Sequence, residues 1–345
     1  MPVASADVTR LAIAGAGWAG SVHALSSAAV TGVHVSQILS RTASGAADLA
    51  GRLGVESGTY AELAARSDIL LVATPAEHHA ELVLSALARG LAVLVEKPLA
   101  TTLADADAMI SAAEAAGRPT GYAENLLAAP AVAVALAHRQ RMGPLTHLTL
   151  RFLSDAPTWG HFLESLSGGG VLHDLGAHPV ALALAFGGSE VVAVSATLTS
   201  TRPDGADDEA TVELRFADGL RATIEASWTA TEPMWDLQAA AADGVARIDF
   251  LPELIVELDG EDAMPTPVLA DLPDVRLETF GYIAQMQGFV DALAGRGGQV
   301  CPLGFGRLVL EVTCAAYLSA GSGGAEVPLP YSGRRDVTPL QLWLG

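Results

Sequence analysis

The sequence predicts an α/β domain with a doubly wound parallel sheet at residues 1–124, followed at residues 125–345 by an α+β domain with an open, largely antiparallel sheet. Up to residue 122, short apolar runs alternate with helical stretches, which is typical of a parallel sheet with crossover helices. Between residues 191 and 258, strand candidates follow one another without helices between them, which indicates an antiparallel or mixed sheet. The length of 345 residues also suits two domains better than a single core.

The first domain is expected to alternate strands and helices. Apolar runs place the strands at Val8–Ala14, Val33–Leu39, Ile69–Ala73, Ala92–Glu96 and Pro119–Tyr122. The segments between them place the helices at Ala19–Ala29, Ala43–Leu53, Glu77–Arg89 and Leu103–Ala116. Gly90 and Gly117 follow the last two helices, and glycine commonly ends a helix because it adopts left-handed backbone angles without strain.

The second domain begins with a different pattern after Asn125. We expect a helix to about Met142, a strand Leu145–Leu153, a loop at Gly168–Gly170, a helix ending near Phe186, strands such as Thr211–Phe216 and Arg221–Trp228, and closing helices near Thr279–Ala294 and Leu303–Ala320. This order is typical of an α+β domain.

Composition argues against several classes of protein. The formal charge of −20 disfavours nucleic acid and anionic membranes, because binding to phosphates requires clustered Lys and Arg. Cys301 and Cys314 are too few for a disulfide scaffold and are not spaced as a redox or zinc motif. The longest apolar run, Leu126–Ala137, contains Pro130 and is too short to span a bilayer. The amino terminus lacks a secretory pattern, so we expect a cytoplasmic protein.

Lys97 stands out in the composition. The chain has 19 basic residues, and Lys97 is the single lysine among them. Lysine and arginine do similar work on a solvated surface, but only a compact ammonium has a pKa that burial shifts readily, which suits lysine to catalysis. Lys97 is therefore a candidate catalytic residue. The alternative is that the single lysine occurs at this position by chance.

A glycine-rich turn follows the first predicted strand directly. Its sequence is Gly15-Ala16-Gly17-Trp18-Ala19-Gly20. The first glycine permits a tight turn, the second lets a diphosphate approach the backbone, and the third allows close helix packing, while the helix amino terminus attracts negative charge. This strand-turn-helix setting predicts dinucleotide binding, and the alternative is a glycine turn without a ligand.

The end of the second strand bears on the choice of cofactor. A site that prefers NAD would usually present an acid there to the ribose hydroxyls, whereas this chain has Ser40-Arg41-Thr42. A hydroxyl and a guanidinium suit a 2′-phosphate better, so we expect NADP to be preferred over NAD. Alternatively, Arg41 is a solvated residue at the start of a loop.

Two further strands end in residues that suit a ligand site. Thr74-Pro75 follows the third predicted strand, and Glu96-Lys97-Pro98 ends the fourth. In a doubly wound sheet the carboxyl ends of the strands border the ligand crevice, so both motifs should face a bound nicotinamide. The alternative is that Glu96 and Lys97 form a surface ion pair.

The second domain carries His173-Asp174-Leu175-Gly176-Ala177-His178 after three glycines. Asp174 and His178 are four residues apart, so on a helix they share one face, and the glycines let that helix begin close to a ligand. Such a pair supplies a proton acceptor and the carboxylate that orients it. His173 points elsewhere and is expected to pack. One alternative is that these histidines only make structural hydrogen bonds on a helix. The other is a metal site, but the sequence shows no further residues that would complete its ligands.

Taken together, these motifs resemble the Gfo/Idh/MocA oxidoreductases nearly end to end. Besides the glycine turn they comprise Ala73-Thr74-Pro75 with His79-Ala80, Val95-Glu96-Lys97-Pro98-Leu99, Glu124-Asn125, Gly168-Gly169-Gly170 leading to Asp174 and His178, and closing stretches with Gly281 to Phe289 and Ala315 to Ser319. The resemblance implies a Rossmann domain and an open-faced sheet domain that makes homodimer or homotetramer contacts. It also implies hydride transfer on a sugar, cyclitol or related polyol, with the family's lysine, aspartate and histidine at Lys97, Asp174 and His178.

Motif matches extend the expected site. His79, Glu96 and Glu124 join the expected cofactor contacts, and Asn125 joins the expected substrate contacts. Aromatic faces suit sugar rings, so Trp159, His161 and Trp235 are further candidates for the substrate wall. The chain departs from many relatives at Leu126-Leu127, where they carry an aromatic residue and an arginine, and at Ala181, where they often carry an acid.

We expect His178 to accept the hydroxyl proton of a secondary alcohol as hydride leaves, with Asp174 holding the imidazole and Lys97 donating to the same oxygen. Reduction of a ketone or keto-sugar would reverse these roles. Two alternatives stay open. One is a redox-neutral enzyme with tightly bound NAD, of the glycosidase or epimerase type, and the other is a non-catalytic dinucleotide-binding protein.

Overall fold

The computed structural model describes residues 8–63, 67–158, 168–201, 205–266, 269 and 272–345. Its strands are β1 Thr9–Ala14, β2 Val33–Ser40, β3 Glu56–Thr59, β4 Ile69–Val72, β5 Ala92–Glu96, β6 Thr120–Ala123, β7 Leu145–Asp155, β8 Val191–Thr199, β9 Glu209–Phe216, β10 Arg221–Ser227, β11 Thr229–Ala241, β12 Gly244–Leu251, β13 Ile255–Leu258, β14 Glu261–Asp262 and β15 Val327–Pro328. Its α-helices are α1 Trp18–Ser27, α2 Ala43–Leu53, α3 His79–Ala88, α4 Leu103–Ala116, α5 Pro130–Arg139, α6 Val171–Asp174, α7 Ala177–Gly187, α8 Arg276–Thr279, α9 Tyr282–Leu293, α10 Leu303–Gly321 and α11 Pro339–Leu344.

The chain forms two compact units. The first contains the described residues up to Leu99 together with Ala106–Ala128 and Leu269–Phe305, and the second contains Ala100–Asp105 and the described remainder. The sequence predicted a division at residue 124. The main difference is that the segment with α9, expected in the second domain, belongs to the first unit. That helix packs against α1, and its Met286 and Phe289 enter the core of the first unit.

A parallel sheet forms the centre of the first unit. Its described strands lie in the order β3-β2-β1-β4-β5-β6, and all the pairs are parallel. Every residue of β4 and β5 is buried, as expected when helices cover both faces of a parallel sheet. The predicted strands are confirmed with small shifts at their ends. The edge strand β3 was not predicted, because its sequence Glu-Ser-Gly-Thr lacks an apolar run.

The strand order reverses direction between β1 and β4. In open α/β sheets ligands bind at such a switch point, outside the carboxyl ends of the strands. The register pairs Ala14 with Val72, Val72 with Val95 and Glu96 with Ala123, so the carboxyl ends of these four strands lie side by side. The residues that follow β1, β4, β5 and β6 therefore share one edge of the sheet.

The second unit is built on a long, mostly antiparallel sheet. Its described strands lie in the order β14-β13-β12-β11-β7-β10-β9-β8-β15, and β7 and β10 run parallel. Alternate residues of β7, β9 and β10 are buried, and α5, α6 and α7 pack on the sheet. Partly exposed ion pairs, such as Arg151 with Asp236 and Arg247 with Asp249, lie along β7, β11 and β12. The predicted open, largely antiparallel sheet is thus confirmed.

Two predicted helices differ from the structure. The helix expected from Asn125 to Met142 begins instead at Pro130, because Asn125–Ala128 forms a tighter turn and proline suits the first position of a helix. The helix expected to run to Phe186 is divided into α6 and α7. The Gly176 N–H bonds to the Val171 carbonyl five residues back, and the His178 N–H then bonds to Leu175 three residues back. Asp174 therefore ends one helix and His178 belongs to the next.

Among the described residues, α10 alone is long and apolar enough to cross a bilayer by length and composition. It has 19 residues, and 67% of its most apolar window is buried inside the protein. Core helices of folded domains pass the same test.

Candidate functional site

The glycine turn after β1 adopts the geometry that its sequence predicts. Gly15 has a φ of +116°, and a Cβ there would lie 2.1 Å from the Ala73 carbonyl oxygen. A Cβ at Gly20 would lie 2.0 Å from the Gly15 carbonyl oxygen. The tight turn at the first glycine and the close helix packing at the third are therefore confirmed.

Gly17 is the glycine whose side-chain position is open. A Cβ there would meet no atom within 4 Å, and its φ of −79° is one that any residue adopts. No side chain of the described chain caps the start of α1 at this residue. Nothing in the fold therefore requires glycine at this position, and the open space fits a ligand diphosphate at the start of the helix. Trp18, the next residue, is 52% exposed, and Ala19 is partly buried.

The Ser40-Arg41-Thr42 segment lies where β2 ends. Thr42 accepts a hydrogen bond from the Gly45 N–H at 3.2 Å and so begins α2, which gives it a structural role. Arg41 is exposed. Burial raises the pKa of Tyr60, and the charge and backbone of the nearby Arg41 oppose that rise. The exposed Arg41 and the partly buried Ser40 therefore lie at the carboxyl end of β2.

His79 holds two of the strand ends together. It is fully buried, with Nε2 at 2.8 Å from the Thr74 carbonyl oxygen and Nδ1 at 3.3 Å from the Leu99 carbonyl oxygen. Burial lowers the pKa of His79, which favours the neutral ring. Thr74 is itself buried, and Pro75 follows it at the exposed start of the next turn. His79 therefore connects the segments after β4 and β5, and its expected contact with cofactor stays a prediction.

Lys97 is partly buried at the end of β5, and the bond to Pro98 is cis. Its backbone N–H donates to Glu96 Oε2 at 2.9 Å, while Glu96 Oε1 lies 2.6 Å from His23 Nε2 on α1. Burial opposes ionisation of Glu96, but the hydrogen bond to His23 and the nearby charges of His23 and Lys97 keep its pKa below the ordinary value. Both oxygens of Glu96 thus bond inside the protein and hold the backbone at Lys97, and the expected contact of Glu96 with cofactor stays a prediction.

Sequence reasoning missed His23, because no local pattern connects it with Glu96, 73 residues later. The residue is 0% exposed on a helix that opens at the glycine turn, and a histidine in such an apolar setting needs a polar partner. The ring of Tyr282 packs edge-on against His23, with centroids 5.5 Å apart, and against Trp18 at 6.5 Å. Tyr282 thus contacts both Trp18 in the glycine turn and His23, which in turn bonds to Glu96 next to Lys97.

The residues after β6 are more buried than their expected roles imply. Glu124 is buried, and its Oε1 accepts from the Leu126 N–H at 3.3 Å. Asn125 is also buried, and its amide donates to the Phe280 carbonyl oxygen at 2.8 Å. These hydrogen bonds join Glu124 and Asn125 to backbone groups of the protein, and their expected contacts with cofactor and substrate stay predictions.

In the second unit the glycine-rich loop serves protein packing. A Cβ at Gly169 would lie 2.4 Å from His173 Cβ, and a Cβ at Gly170 would lie 2.0 Å from the Asp207 carbonyl oxygen. Gly169 and Gly170 are thus required by the packing of the protein itself, and their expected closeness to a ligand stays a prediction. They make room for Asp207 and for the first turn of α6.

Asp174 and His178 lie on the consecutive helices α6 and α7. Asp174 is partly exposed, whereas the other residues from Val171 to Ala183 are buried, so its carboxylate is the polar group of this stretch with access to solvent. His178 is 6% exposed. Its ring lies 6.3 Å from that of Phe152, stacked, and 6.1 Å from that of Trp235.

The structure brings Trp235, predicted to line the substrate wall, next to His178. Trp235 and Phe152 face each other across β11 and β7, and their rings stack at 5.0 Å. Phe152 was missed, although its place on a predicted strand made it a candidate partner for an aromatic residue. Trp159 and His161, also predicted for the wall, lie outside the described residues.

Chemically, the first unit offers an open helix start and an ammonium group on one sheet edge, and the second offers a carboxylate and an imidazole against an aromatic wall. Among the residues that the structure describes, no group of three or more His, Cys, Asp and Glu residues could hold a metal ion. Burial raises the pKa of Cys301 and of Cys314 to about 12, so neither is a ready nucleophile.

Comparison with known families matches both units. Residues 9–123 match the model of an oxidoreductase family with an NAD-binding Rossmann fold. Residues 132–247 match the model of the GFO/IDH/MocA C-terminal domain. Together the two matches cover well over half of the chain.

Individual proteins also resemble the chain. The uncharacterized protein YMR315W of Saccharomyces cerevisiae is 30% identical over 238 residues, which is 64% of this chain and 66% of that protein, slightly under two thirds of its length. D-apiose dehydrogenase of Paraburkholderia graminis is 27% identical over 74% of this chain and 72% of its own. The crystal structure of GenD2 from gentamicin A biosynthesis, in complex with NAD, superposes with a TM-score of 0.82 and 26% identity, covering 95% of this chain and 99% of that one.

Gly17→Ala tests the open position in the glycine turn. Because a Cβ fits without a clash, we expect the free energy of unfolding to change by no more than about 1 kcal/mol. The same Cβ would occupy the diphosphate path, so affinity for dinucleotide should fall by about tenfold or more. Fluorescence titration with NADH and NADPH measures the affinity. Gly51→Ala, at an open position within α2, is the matched control and should leave affinity unchanged. Equal affinity of the Gly17 variant and the parent would contradict the assignment.

Proposed function

The chain belongs to the Gfo/Idh/MocA oxidoreductase family, and from this premise we propose that it is an NAD(P)-dependent dehydrogenase or reductase acting on a secondary alcohol or ketone of a sugar, cyclitol or related polyol. The observation that carries the proposal lies in the first unit, where the open glycine turn after β1 and Lys97 after β5 lie on the same edge of one parallel sheet. The name of the D-apiose dehydrogenase relative supports a sugar substrate.

The residues of the first unit fit a nicotinamide dinucleotide. Gly15, Gly17 and the start of α1 would hold the diphosphate, because the backbone is open there and the helix amino terminus favours negative charge. Thr74 and Pro75 follow β4 between the glycine turn and Lys97, so they would border the nicotinamide. When bound, the nicotinamide supplies the site that accepts or gives up hydride.

The chain's own residues handle the proton. In oxidation, His178 accepts the proton of the substrate hydroxyl on an imidazole nitrogen, and Asp174 stabilises the imidazolium that results. Lys97 donates a hydrogen bond to the same substrate oxygen and stabilises the charge that develops on it. In reduction, His178 returns the proton to the oxygen. Trp235 and the buried Phe152, stacked beside His178, would limit water around the imidazole, and the partly exposed Trp235 would offer an aromatic face to a sugar ring.

Lys97→Ala and His178→Ala test these assignments separately. Each should lower turnover by about two to four orders of magnitude, since each removes a group that acts on the reacting oxygen. Affinity for the cofactor should change little. A panel of polyols and keto-sugars, followed at the nicotinamide absorbance band, measures turnover.

His147→Ala is the matched control, because His147 is an exposed histidine on β7 of the second unit and should tolerate alanine without loss of activity. Near-normal turnover in either test variant would remove that residue from the mechanism. Turnover of the parent without any net change in nicotinamide absorbance would support a redox-neutral reaction instead. Absence of turnover across the panel would support a non-catalytic binding protein.

We also propose that NADP is preferred over NAD, with Arg41 binding the 2′-phosphate. Its exposed guanidinium at the end of β2 supports this role. Arg41→Ala should weaken NADPH binding by about 10- to 100-fold and leave NADH binding nearly unchanged, because one charge-assisted contact is lost. Arg52→Ala, at another exposed arginine on the neighbouring helix α2, is the control. A parent protein that binds NADH more tightly than NADPH would overturn the preference.

We further propose that the chain forms a homodimer or homotetramer through the open face of the second unit's sheet. The support is that face itself, where Arg151, Asp236 and Arg247 form partly exposed ion pairs that no helix among the described residues covers. Light scattering coupled to size-exclusion chromatography should give two or four times the chain mass of 35.3 kDa. A mass of one chain at micromolar concentration would contradict this proposal.

A further inference from the structure

Asp207 binds the start of the helix that carries Asp174. Its Oδ1 accepts from the Gly170 N–H at 2.9 Å, and its Oδ2 accepts from the Leu172 N–H at 2.9 Å. Its backbone carbonyl accepts from the Val171 N–H, also at 2.9 Å. Asp207 thus accepts hydrogen bonds from three consecutive backbone N–H groups that have no acceptor within α6.

Tyr317 of α10 completes the arrangement. Its hydroxyl donates to Asp207 Oδ1 and accepts from the Gly170 N–H at 2.9 Å. Both side chains are fully buried, so these bonds form where no water replaces them. Burial raises the pKa of Asp207 to about 6, and the bonds from Tyr317, Leu172 and Gly170 oppose that rise, so the carboxylate is mostly ionised at neutral pH.

The glycine-rich loop is shaped to these two residues. A Cβ at Gly169 would come within 2.7 Å of the Tyr317 hydroxyl, and one at Gly170 would come within 2.6 Å of Asp207 Oδ1. The Asp174 N–H bonds to the Gly170 carbonyl at 3.1 Å, so a single turn of backbone connects the clamped residue to Asp174. Displacing Gly170 would therefore displace Asp174.

We propose that Asp207, supported by Tyr317, is a positioning residue that fixes the carboxylate of Asp174 for its role beside His178. The inference deepens the proposed function and rests on it for its kinetic consequence. Asp207 lies outside α6 and α7, 33 residues after Asp174, and no motif in the sequence analysis included it.

Asp208 provides a matched control within the same segment. It is the next residue, also an aspartate, and it is 4% exposed. Its Oδ2 accepts from the Thr201 N–H at 2.9 Å and from the Thr201 hydroxyl at 2.5 Å, and no described bond connects its side chain to α6. Asparagine at either position removes a buried carboxylate, but only Asp207→Asn places an amide group where the loop and α6 need an acceptor.

The experiment compares the full-length parent, Asp207→Asn, Tyr317→Phe and Asp208→Asn. Amide hydrogen exchange of residues 168–176 reports the clamp directly and needs no substrate. Substrate KM and kcat from the polyol panel report the position of Asp174, and NADH or NADPH titration reports the first unit. Because KM is independent of the fraction of active protein, it separates misplacement from simple loss of folded enzyme.

For Asp207→Asn we expect exchange in residues 168–176 to accelerate by about tenfold or more. Its kcat/KM should fall by about 10- to 100-fold with a raised substrate KM, because small misplacements of catalytic groups cost this much. Cofactor affinity should stay within about twofold of the parent. Asp208→Asn should match the parent in all three. Tyr317→Phe should show a smaller effect in the same direction, and it carries the test if Asp207→Asn does not fold.

Parent-like exchange and KM in Asp207→Asn, or in Tyr317→Phe if the former does not fold, would overturn the proposal. Equal changes in Asp208→Asn would do the same, since they would show that any buried carboxylate in this segment matters alike. If the parent turns over no substrate, the proposed function fails while the exchange measurement still decides whether Asp207 holds the loop.

Discussion

The close approach of the turn after β1 to the end of β4 is the constraint on which the first unit depends. Gly15 lies so near the Ala73 carbonyl oxygen that no side chain fits, and Gly20 lies equally near Gly15. This crowding places the start of α1 at the switch point of the sheet, where the ends of β4 and β5 are its neighbours. An open helix start and the lone lysine of the chain consequently share one edge.

Both units use a buried carboxylate to fix the backbone at or near a functional residue. In the first, Glu96 accepts the N–H of Lys97 while His23 binds its other oxygen. In the second, Asp207 accepts N–H groups at the start of the helix that ends in Asp174. Burying a carboxylate costs free energy unless its oxygens accept hydrogen bonds. Breaking either set of bonds would leave a buried charge without partners, so both arrangements are stable. In each unit a buried carboxylate thus fixes the backbone at or near a residue for which we propose a catalytic role.

Much of the fold follows from the sequence because local pattern determined it. The strands β1, β4 and β5 are largely apolar runs, and β2 mixes apolar with polar residues. The spacing of the glycines follows from the close contacts at Gly15 and Gly20. The polar strand β3 has no apolar run that would predict it. The break between α6 and α7 was also not predicted, because Leu175 and Gly176 keep helical backbone angles there. His23 and Asp207 could not be assigned because their partners lie 73 and 35 residues away, and only the fold brings them together.

A crystal structure of the protein with reduced cofactor bound would show whether the dinucleotide lies along the sheet edge that carries the glycine turn and Lys97. We expect the diphosphate to lie against the backbone of Gly17 at the start of α1, and the reactive carbon of the nicotinamide to lie within reach of the Lys97 ammonium. A dinucleotide bound at another edge of the sheet, or a Lys97 side chain directed away from the nicotinamide into solvent, would contradict it.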